Sequence, residues 1–407
     1  MDYILEAQRK TPVAERTQVL VAGGGVAGIA AALAAARRGK QVTLLERQFA
    51  LGGMATLGLI TIYLPLCDGR GHQLIYGMGE ELLRLSIRHT HEGNYPKAWL
   101  EGGTLEERTE NRFTAQFNPQ LFALDAERLL RQAGVRILYG TLAVGATVED
   151  GLIQAVLVEN KSGRTAIEAE SFVDCTGDAD LCALAGAPTR RKAGGNGLAS
   201  WYYSFDGRAV SLNMFGLADV VPDKDEGRSG YQAEKMDSLD PDCRFSGVDG
   251  WELSEAVQAG HEKMFADILR RREGSPALVP VTMSTIPLVR MSRCLMGVRT
   301  MDGSEDRTFQ PDSIGMTGDW CRRGPAYEIP FGALHCGEIR NLLAAGRDIS
   351  VTDEMWNVTR VIPPCAVTGQ AAGTAAALGS DFTRADLPQL QRALAADGVR
   401  LHWEEEP

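Results

Sequence analysis

Between Thr17 and Ala22 the chain runs TQVLVA, apolar with β-branched valines and too short for a helix. Such a run predicts a strand buried on both faces of a parallel sheet. Glycines follow at 23, 25 and 28, then alanine and leucine up to Gly39, which predicts a buried helix with a glycine stop. Gln41–Leu45 is a second strand, with Glu46 at its carboxyl end. Glu80–His91 reads as an amphipathic helix burying Leu82, Leu83, Leu85 and Ile87, and Asn118-Pro119 opens another that runs to Gly134. Val135–Tyr139 and Leu142–Val148 are strands, and Asp150-Gly151 marks a hairpin. Ile153–Glu159 and Thr165–Glu170 complete a small meander, and Ser171–Thr176 is again a buried strand.

The pattern then changes. Residues 189–330 read as a separate unit, with strands at Trp201–Phe205 and Val210–Phe215, a polar loop over 222–250 and a long helix over Trp251–Glu273. The apolar run from Pro280 to Gly297 should be strand then turn. Asn341–Ile349 returns to a buried strand, and 358–378 enters a helix of alanine, glycine and threonine through Val367–Gly369. A last helix starts near Asp386 and ends at Gly398, before an acidic tail at Glu404–Glu406. This divides the chain into a first part over 1–188, an inserted unit over 189–330 and a returning part over 331–407. Residues 1–16 read as a polar arm, and 57–117 as an excursion whose later half, 92–117, is a surface segment or cover.

The 407 residues suffice for two or three domains with a sizeable core. The 42 Lys and Arg against 53 Asp and Glu leave a formal charge of −11. That argues against nucleic acid or an anionic membrane surface as the main partner. A local arginine pocket for a small anion remains compatible with it. Cysteines at 67, 175, 182, 243, 294, 321, 336 and 365 show no CxxC spacing, so neither a zinc site nor a dithiol centre is expected. No signal peptide or spanning segment is evident, so reduced thiols in a cytoplasmic protein are expected. His89 and His91 form an HxH pair without a third ligand nearby in sequence, which reads as a solvated pair and not a metal site.

The glycines carry specific chemistry. Gly23 permits a tight turn, Gly25 lets a pyrophosphate approach the backbone, and Gly28 lets helix pack closely on strand. Val26 and Ala27, at the helix start, offer unpaired N–H groups and the positive end of the dipole. Glu46 stands where a carboxylate accepts hydrogen bonds from ribose hydroxyls. Strand, turn, helix, strand and acid in this order specify a dinucleotide site. After Arg47 a second glycine pair, Gly52-Gly53, with Met54-Ala55-Thr56, lets the chain fold back over the pyrophosphate.

With that extension the chain resembles the bacterial FAD-dependent oxidoreductases of the glutathione-reductase-like FAD-binding superfamily. The resemblance rests on GGGVAG, ERQFALGGMAT, DCTGDAD, NLLAAGRDIS and GQAAGTAAAL, in that order. It implies FAD as cofactor and an α/β fold: a Rossmann-like FAD-binding domain, a parallel sheet with a three-stranded meander, and an inserted α+β substrate domain. On this pattern Ala143 and Val144 lie by the adenine, and Cys175-Thr176-Gly177-Asp178 bring backbone close to the dinucleotide. Gly346-Arg347-Asp348 hold the ribityl chain, with Asp348 accepting a hydroxyl hydrogen bond. Gly369-Gln370-Ala371 belong to the helix whose N-terminus faces the flavin N1–C2=O edge. The family's Glu-Ser-Arg-Arg reads Met291-Ser292-Arg293-Cys294 here.

Candidate catalytic residues come from polar groups in apolar surroundings. Arg290 and Arg293 each need a partner, either a structural carboxylate or a substrate carboxylate or carbonyl. Arg360 precedes the alanine helix and is a further anchor beside the flavin. His72 carries an imidazole, the side chain suited to general acid or base work, and either moves a substrate proton or bonds to backbone. Cys67 either tethers a flavin or simply packs. The expected function is hydride or electron-pair transfer through FAD on a small organic substrate. Only one GxGxxG turn is present, so an external or transient donor or acceptor, NAD(P)H included, is expected. A non-redox flavoenzyme of isomerase or hydratase type, and a flavin-containing binding protein, are the alternatives. Substrate identity and oligomeric state stay open.

Overall fold

The computed structural model describes residue 4 and residues 8–89, 95–216 and 244–404. Strand β1 spans Val13–Ala22, four residues longer than its apolar run. Its first residues are exposed, yet Val13, Glu15 and Arg16 pair in parallel with Ala166, Ile167 and Glu168. The expected polar arm over 1–16 therefore ends in sheet: backbone pairing does not need apolar side chains at an exposed strand end. Helix α1 (Val26–Arg37) is buried from Val26 to Ala35. Strand β2 (Val42–Glu46) is buried at every residue.

The following excursion is better packed than its sequence suggests. Short strands β3 (Ile62–Tyr63) and β4 (Ala115–Gln116) pair antiparallel and tie its two ends together. Helix α2 (Met78–Ile87) buries Leu82, Leu83, Leu85 and Ile87 as its periodicity predicts. The 92–117 segment, described from residue 95, holds the short helices α3 (Lys97–Leu100) and α4 (Leu105–Glu110). It is not a loose cover: Trp99, Phe113 and Phe117 are in the core, and Trp99 Nε1 donates to the Asn111 carbonyl at 2.6 Å.

Helix α5 (Pro119–Gln132) is capped by Asn118 Oδ1, which accepts from Leu121 N, with proline in its first turn. Strands β5 (Arg136–Tyr139), β6 (Leu142–Glu149), β7 (Leu152–Asn160) and β8 (Gly163–Asp174) complete the main sheet, in the order β5-β2-β1-β8-β7-β6. β5, β2, β1 and β8 run parallel, while β6, β7 and β8 form the antiparallel meander. A short helix α6 (Asp180–Leu184) follows β8.

The chain leaves this body through β9 (Thr189–Arg191) and re-enters through β15 (Arg293–Leu295), paired antiparallel as a neck. Beyond the neck β10 (Asn196–Gly197) pairs with β13 (Arg244–Phe245). The strands β11 (Ser200–Phe205), β12 (Val210–Phe215) and β14 (Val279–Met283) form a three-stranded antiparallel sheet. Helix α7 (Gly250–Gly274) lies on β11: Tyr202 donates to Asp267 at 2.6 Å, and a Cβ on Gly260 would crowd Ser200. Most of the expected 222–250 loop lies outside the described residues. The hairpin of β16 (Ser313–Gly318) and β17 (Ala326–Pro330) falls within the 189–330 stretch, but β16 packs against the later helices α9 (Ile362–Leu378) and α10 (Leu387–Ala396).

Strand β18 (Leu342–Ala344) rejoins the main sheet in parallel beside β8, and α8 (Asp353–Thr359) leads into α9. A Cβ on Gly369 would overlap the carbonyl of Ala27, and one on Gly373 the carbonyl of Ala31. Four residues separate each pair, so one face of each helix meets the other backbone to backbone. Gly373→Val is therefore expected to destabilise the protein by about 2 kcal/mol or more, read as a lowered urea midpoint. Gly379→Ala, with open space around its Cβ position, is expected to stay within about 0.5 kcal/mol of the parent.

Candidate active site

The carboxyl ends of β1, β2, β8 and β18 open onto a cavity of about 400 Å³. Its wall includes Ala22, Gly23, Gly25, Val26, Ala27, Glu46 and Arg47, then Gly52–Ala55, then Cys175–Asp178 with Gly346 and Arg347. This is where an open parallel sheet offers its binding crevice.

The turn is built on close approaches. Gly23 has φ +103°, and a Cβ there would overlap the Cys175 carbonyl. Gly28 faces inward, where a Cβ would strike the Gly23 carbonyl, so it shapes the turn without lining the cavity. Gly25 has open space at its Cβ position, and no side chain caps α1. The N-terminal N–H groups of a long buried helix thus face the cavity. Gly52, with φ +100°, donates to the Gly24 carbonyl at 2.8 Å, which folds the second glycine pair back over the first. Thr56 is turned away from the cavity and donates to the Leu51 carbonyl at 2.5 Å.

Glu46 is buried, and its carboxylate accepts from Gly24 N at 2.8 Å and from Gln48 N at 2.7 Å. Burial raises its pKa, against the pull of those backbone donors. Thr141, Leu142 and Ala143 line the same end, whereas Val144 does not. Asp348 lies fully buried beside the cavity wall. Its Oδ2 accepts from Gly177 N at 3.0 Å, while Oδ1 has no hydrogen-bond partner among the described residues. Burial, then Asp174, pushes its pKa well above the usual carboxylate range. Asp180 also lines the cavity, and burial with Asp178 and Asp174 raises it to about 6.

At the other end α9 points its first turn at the cavity. Ile362 and Cys365 line it, Pro363 and Pro364 occupy the first turn, and no side chain caps the helix. The expected residues Gly369, Gln370 and Ala371 lie one or two turns further on. Gly369 is in the α1 seam, Gln370 Oε1 accepts from Met78 N at 2.9 Å, and Ala371 is in the core. The two prolines were the signal that places this helix start.

The candidate catalytic residues separate. Arg360 lines the cavity, lies over the Trp320 ring at 5.5 Å and donates to Asn357 Oδ1. Arg293 is bound by Asp180 at 2.7 Å and by the Asp178 carbonyl at 2.9 Å, which makes it an ion-pair partner. His72 is not on the cavity wall: its Nδ1 lies 2.9 Å from Asp68 and its ring stands edge-on to Trp403. Cys67 is buried away from the cavity as a packing residue. Burial drives Cys365 up to about 12 and Cys175 well above the usual thiol range, so neither thiol is a ready nucleophile. His89 lies 3.1 Å from Asp125, and its partner His91 is outside the described residues. Among the described residues no group of three or more His, Cys, Asp or Glu could hold a metal ion, and no helix is long and apolar enough to cross a membrane. The inserted unit supplies wall residues that the motifs did not flag: Gly247, Leu253, Thr285, Ile286, Pro287 and Val289.

Crevice, open glycine turn and buried acid together define a Rossmann-like site for an extended dinucleotide. The chain belongs to the FAD dependent oxidoreductase family, whose model matches residues 18–275 and 300–394. The protein is a FAD-dependent oxidoreductase, and FAD is its cofactor. No curated protein matches the sequence. Among solved structures the chain is similar to a geranylgeranyl bacteriochlorophyll reductase-like protein from Thermoplasma acidophilum, at 13% identity and TM-score 0.44 over 94% of this chain and 83% of that one. It is also similar to p-nitrophenol 4-monooxygenase from Pseudomonas putida, at 11% identity and TM-score 0.42 over 97% and 90% of the two chains. A third is 3-ketosteroid-Δ4-(5α)-dehydrogenase from Rhodococcus jostii, at 14% identity and TM-score 0.41 over 90% and 98%.

The residues present suit FAD. Gly25 leaves space for a pyrophosphate, Glu46 is an acceptor at the β2 end, and the orphaned Oδ1 of Asp348 lacks a hydroxyl donor. Glu46→Ala is expected to weaken FAD retention about tenfold or more, read by fluorescence of released flavin during dialysis. Asp348→Asn is expected to weaken retention too, yet to stabilise the apoprotein at neutral pH by about 1 kcal/mol, because the amide needs no proton to be buried there. For Asp180 the folded pKa of about 6 lies above the reference 3.8, so folding favours the protonated acid. Its stabilising contribution is present in acid and lost as pH rises through about 6. Urea midpoints across this range are expected to flatten in Asp180→Asn.

Proposed function

We propose that the protein transfers an electron pair between a small organic substrate and its bound FAD. The substrate would lie between the α9 N-terminus and the Thr285–Val289 segment of the inserted unit. The single observation that carries this reading is the composition of the cavity. One end has the glycine turn and Glu46, and another part is walled by Arg360, Ile362 and the inserted segment. A purely structural coenzyme would require neither wall residues from the inserted unit nor Arg360 beside them.

When bound, FAD supplies a two-electron centre that accepts or returns a hydride. Gly23–Ala27, Glu46, Gly52–Ala55, Ala143, Thr176–Asp178, Gly346, Arg347 and Asp348 are the residues to hold it. The uncapped first turn of α9 would offer the positive end of its dipole to negative charge on a reduced flavin. Arg360, backed by Asn357 and Trp320, orients a polar group of the substrate. The apolar wall residues Ile286, Pro287 and Val289 exclude water from the reacting atoms. The reading gives no proton transfer to His72, whose ring is engaged by Asp68 and Trp403. The other electron partner is external, and NAD(P)H is one candidate.

The purified protein is expected to be yellow, and its visible flavin absorbance to bleach anaerobically with a competent donor. Arg360→Ala is expected to slow that bleaching about tenfold or more with FAD still bound, while His72→Ala leaves the rate unchanged. A flavin that dithionite reduces but that no organic donor, NAD(P)H or oxidised substrate panel turns over would favour a non-redox flavoenzyme.

A further inference from the structure

Arg290 is buried, and its Nε and Nη2 have no hydrogen-bond partner among the described residues. Its guanidinium lies over the face of Trp201, 5.0 Å from the ring centroid. Among the described residues no carboxylate is paired with it: burial, then the charges of Arg360 and Arg347, pull its pKa down to about 9. A buried cation whose neighbours are cations is costly unless an anion arrives.

The position is also rigidly built. Arg347 Nη1 donates to the carbonyls of Val289 and Arg290, at 3.0 Å each. On the other side Asn196 Oδ1 accepts from Met291 N at 3.0 Å, and Asn196 Nδ2 donates to the Met291 carbonyl at 2.5 Å. The backbone on both sides of Arg290 is therefore clamped, by one residue from each unit of the chain. Arg347 and Arg360 themselves stand on the wall of the FAD cavity.

The segment just before Arg290 separates that cavity from a second one. Thr285, Ile286, Pro287 and Val289 line both, and the second cavity, of about 250 Å³, is otherwise walled largely by apolar groups such as Leu198, Phe245, Ala256, Val257 and Met283. This stretch falls between the two parts of the chain that match the family model, 18–275 and 300–394.

Resting on the redox reading above, we propose that Arg290, with Arg360 and Arg347 beside it, binds the carboxylate of the substrate. The substrate is then an organic acid with an apolar body that lies along Thr285–Val289 into the second cavity. The planar guanidinium fork suits a carboxylate, which it grips with two parallel hydrogen bonds. The coenzyme's phosphates have their own partner in the backbone N–H groups of the glycine turn. An apolar chamber next to the cluster accounts for the rest of such a molecule, which a free inorganic anion would leave empty.

The test titrates the purified holoprotein with phenylacetate, with phenylacetamide and with inorganic phosphate, reading flavin absorbance and tryptophan fluorescence. Phenylacetate is expected to perturb both signals, and the amide, with the same body and no charge, to bind about ten- to a hundredfold more weakly. Arg290→Met is expected to lose a similar factor for phenylacetate, to retain FAD and to unfold at a urea concentration no lower than the parent's. Should Arg290→Met fail to fold, Arg290→Lys keeps the charge without the fork and is expected to lose part of the affinity. Equal binding of acid and amide overturns the proposal, as does phosphate displacing phenylacetate at equal concentration. An Arg290→Met protein that sheds FAD yet binds phenylacetate normally assigns the guanidinium to the coenzyme, and also overturns it. If the preparation carries no flavin and cannot be reconstituted, the redox reading fails by itself. Tryptophan fluorescence and the thermal shift with phenylacetate then still decide the anion site.

Discussion

The seam between α1 and α9 leaves no room for a Cβ on Gly369 or Gly373, because the carbonyls of Ala27 and Ala31 occupy that space. Backbone contact of this kind fixes the distance and register of two helices more tightly than interdigitated side chains do, since no rotamer can relax it. Both helices start at the cavity: Val26 and Ala27 open α1, and Ile362 and Cys365 belong to the first turn of α9. Two uncapped N-termini are thereby held at fixed places in one crevice, one at the glycine turn and the other near Arg360. Gly346 is drawn into the same contact, where a Cβ would press on Ala27, so the strand-end loop carrying Arg347 and Asp348 is positioned by the seam as well.

Around that frame the buried charges divide by how they are satisfied. Glu46 is held by two backbone N–H groups, and Asp174 accepts from Thr176 and from Cys182 N, so both are anchored by the main chain. Arg293 and Asp180 satisfy each other. Asp348 and Arg290 are different: among the described residues one keeps a buried oxygen, and the other two buried nitrogens, without a hydrogen-bond partner. One lies by the wall of the cavity at the glycine turn, and the other next to the segment shared with the second cavity. Unsatisfied groups at two separate places suit the proposed uptake of two molecules, coenzyme and substrate.

Much of the nucleotide half was legible in the sequence. The 17–56 stretch folds as strand, turn, helix and strand, and the meander and the buried helix near the C-terminus are present. Some expectations failed for identifiable reasons. The 92–117 segment is charged and glycine-rich, yet Trp99, Phe113 and Phe117 anchor it in the core. Three large aromatics outweigh many exposed charges when buried area is counted. The start of α9 was misplaced because alanine and glycine carry no directional pattern, while Pro363 and Pro364 in its first turn were the better marker. His72 looked chemical by residue type alone, and its engagement with Asp68 and Trp403 is set by folding.

By itself the sequence determined the glycine turn and the strands and helix around it, because such a turn is made from contacts within a few tens of residues. Glycine spacing, helix dipole and the acid at the next strand end are local requirements, and each leaves a local trace. The tertiary structure alone decided which arginines converge. Arg290, Arg347 and Arg360 lie on three separate segments, and Trp201, Asn196 and the second cavity come from the inserted unit. Their grouping depends on the neck pair β9–β15 and on the α1–α9 seam, which bring distant residues together by packing. Packing of that kind selects for size and shape at each position, and leaves no spacing to be read along the chain.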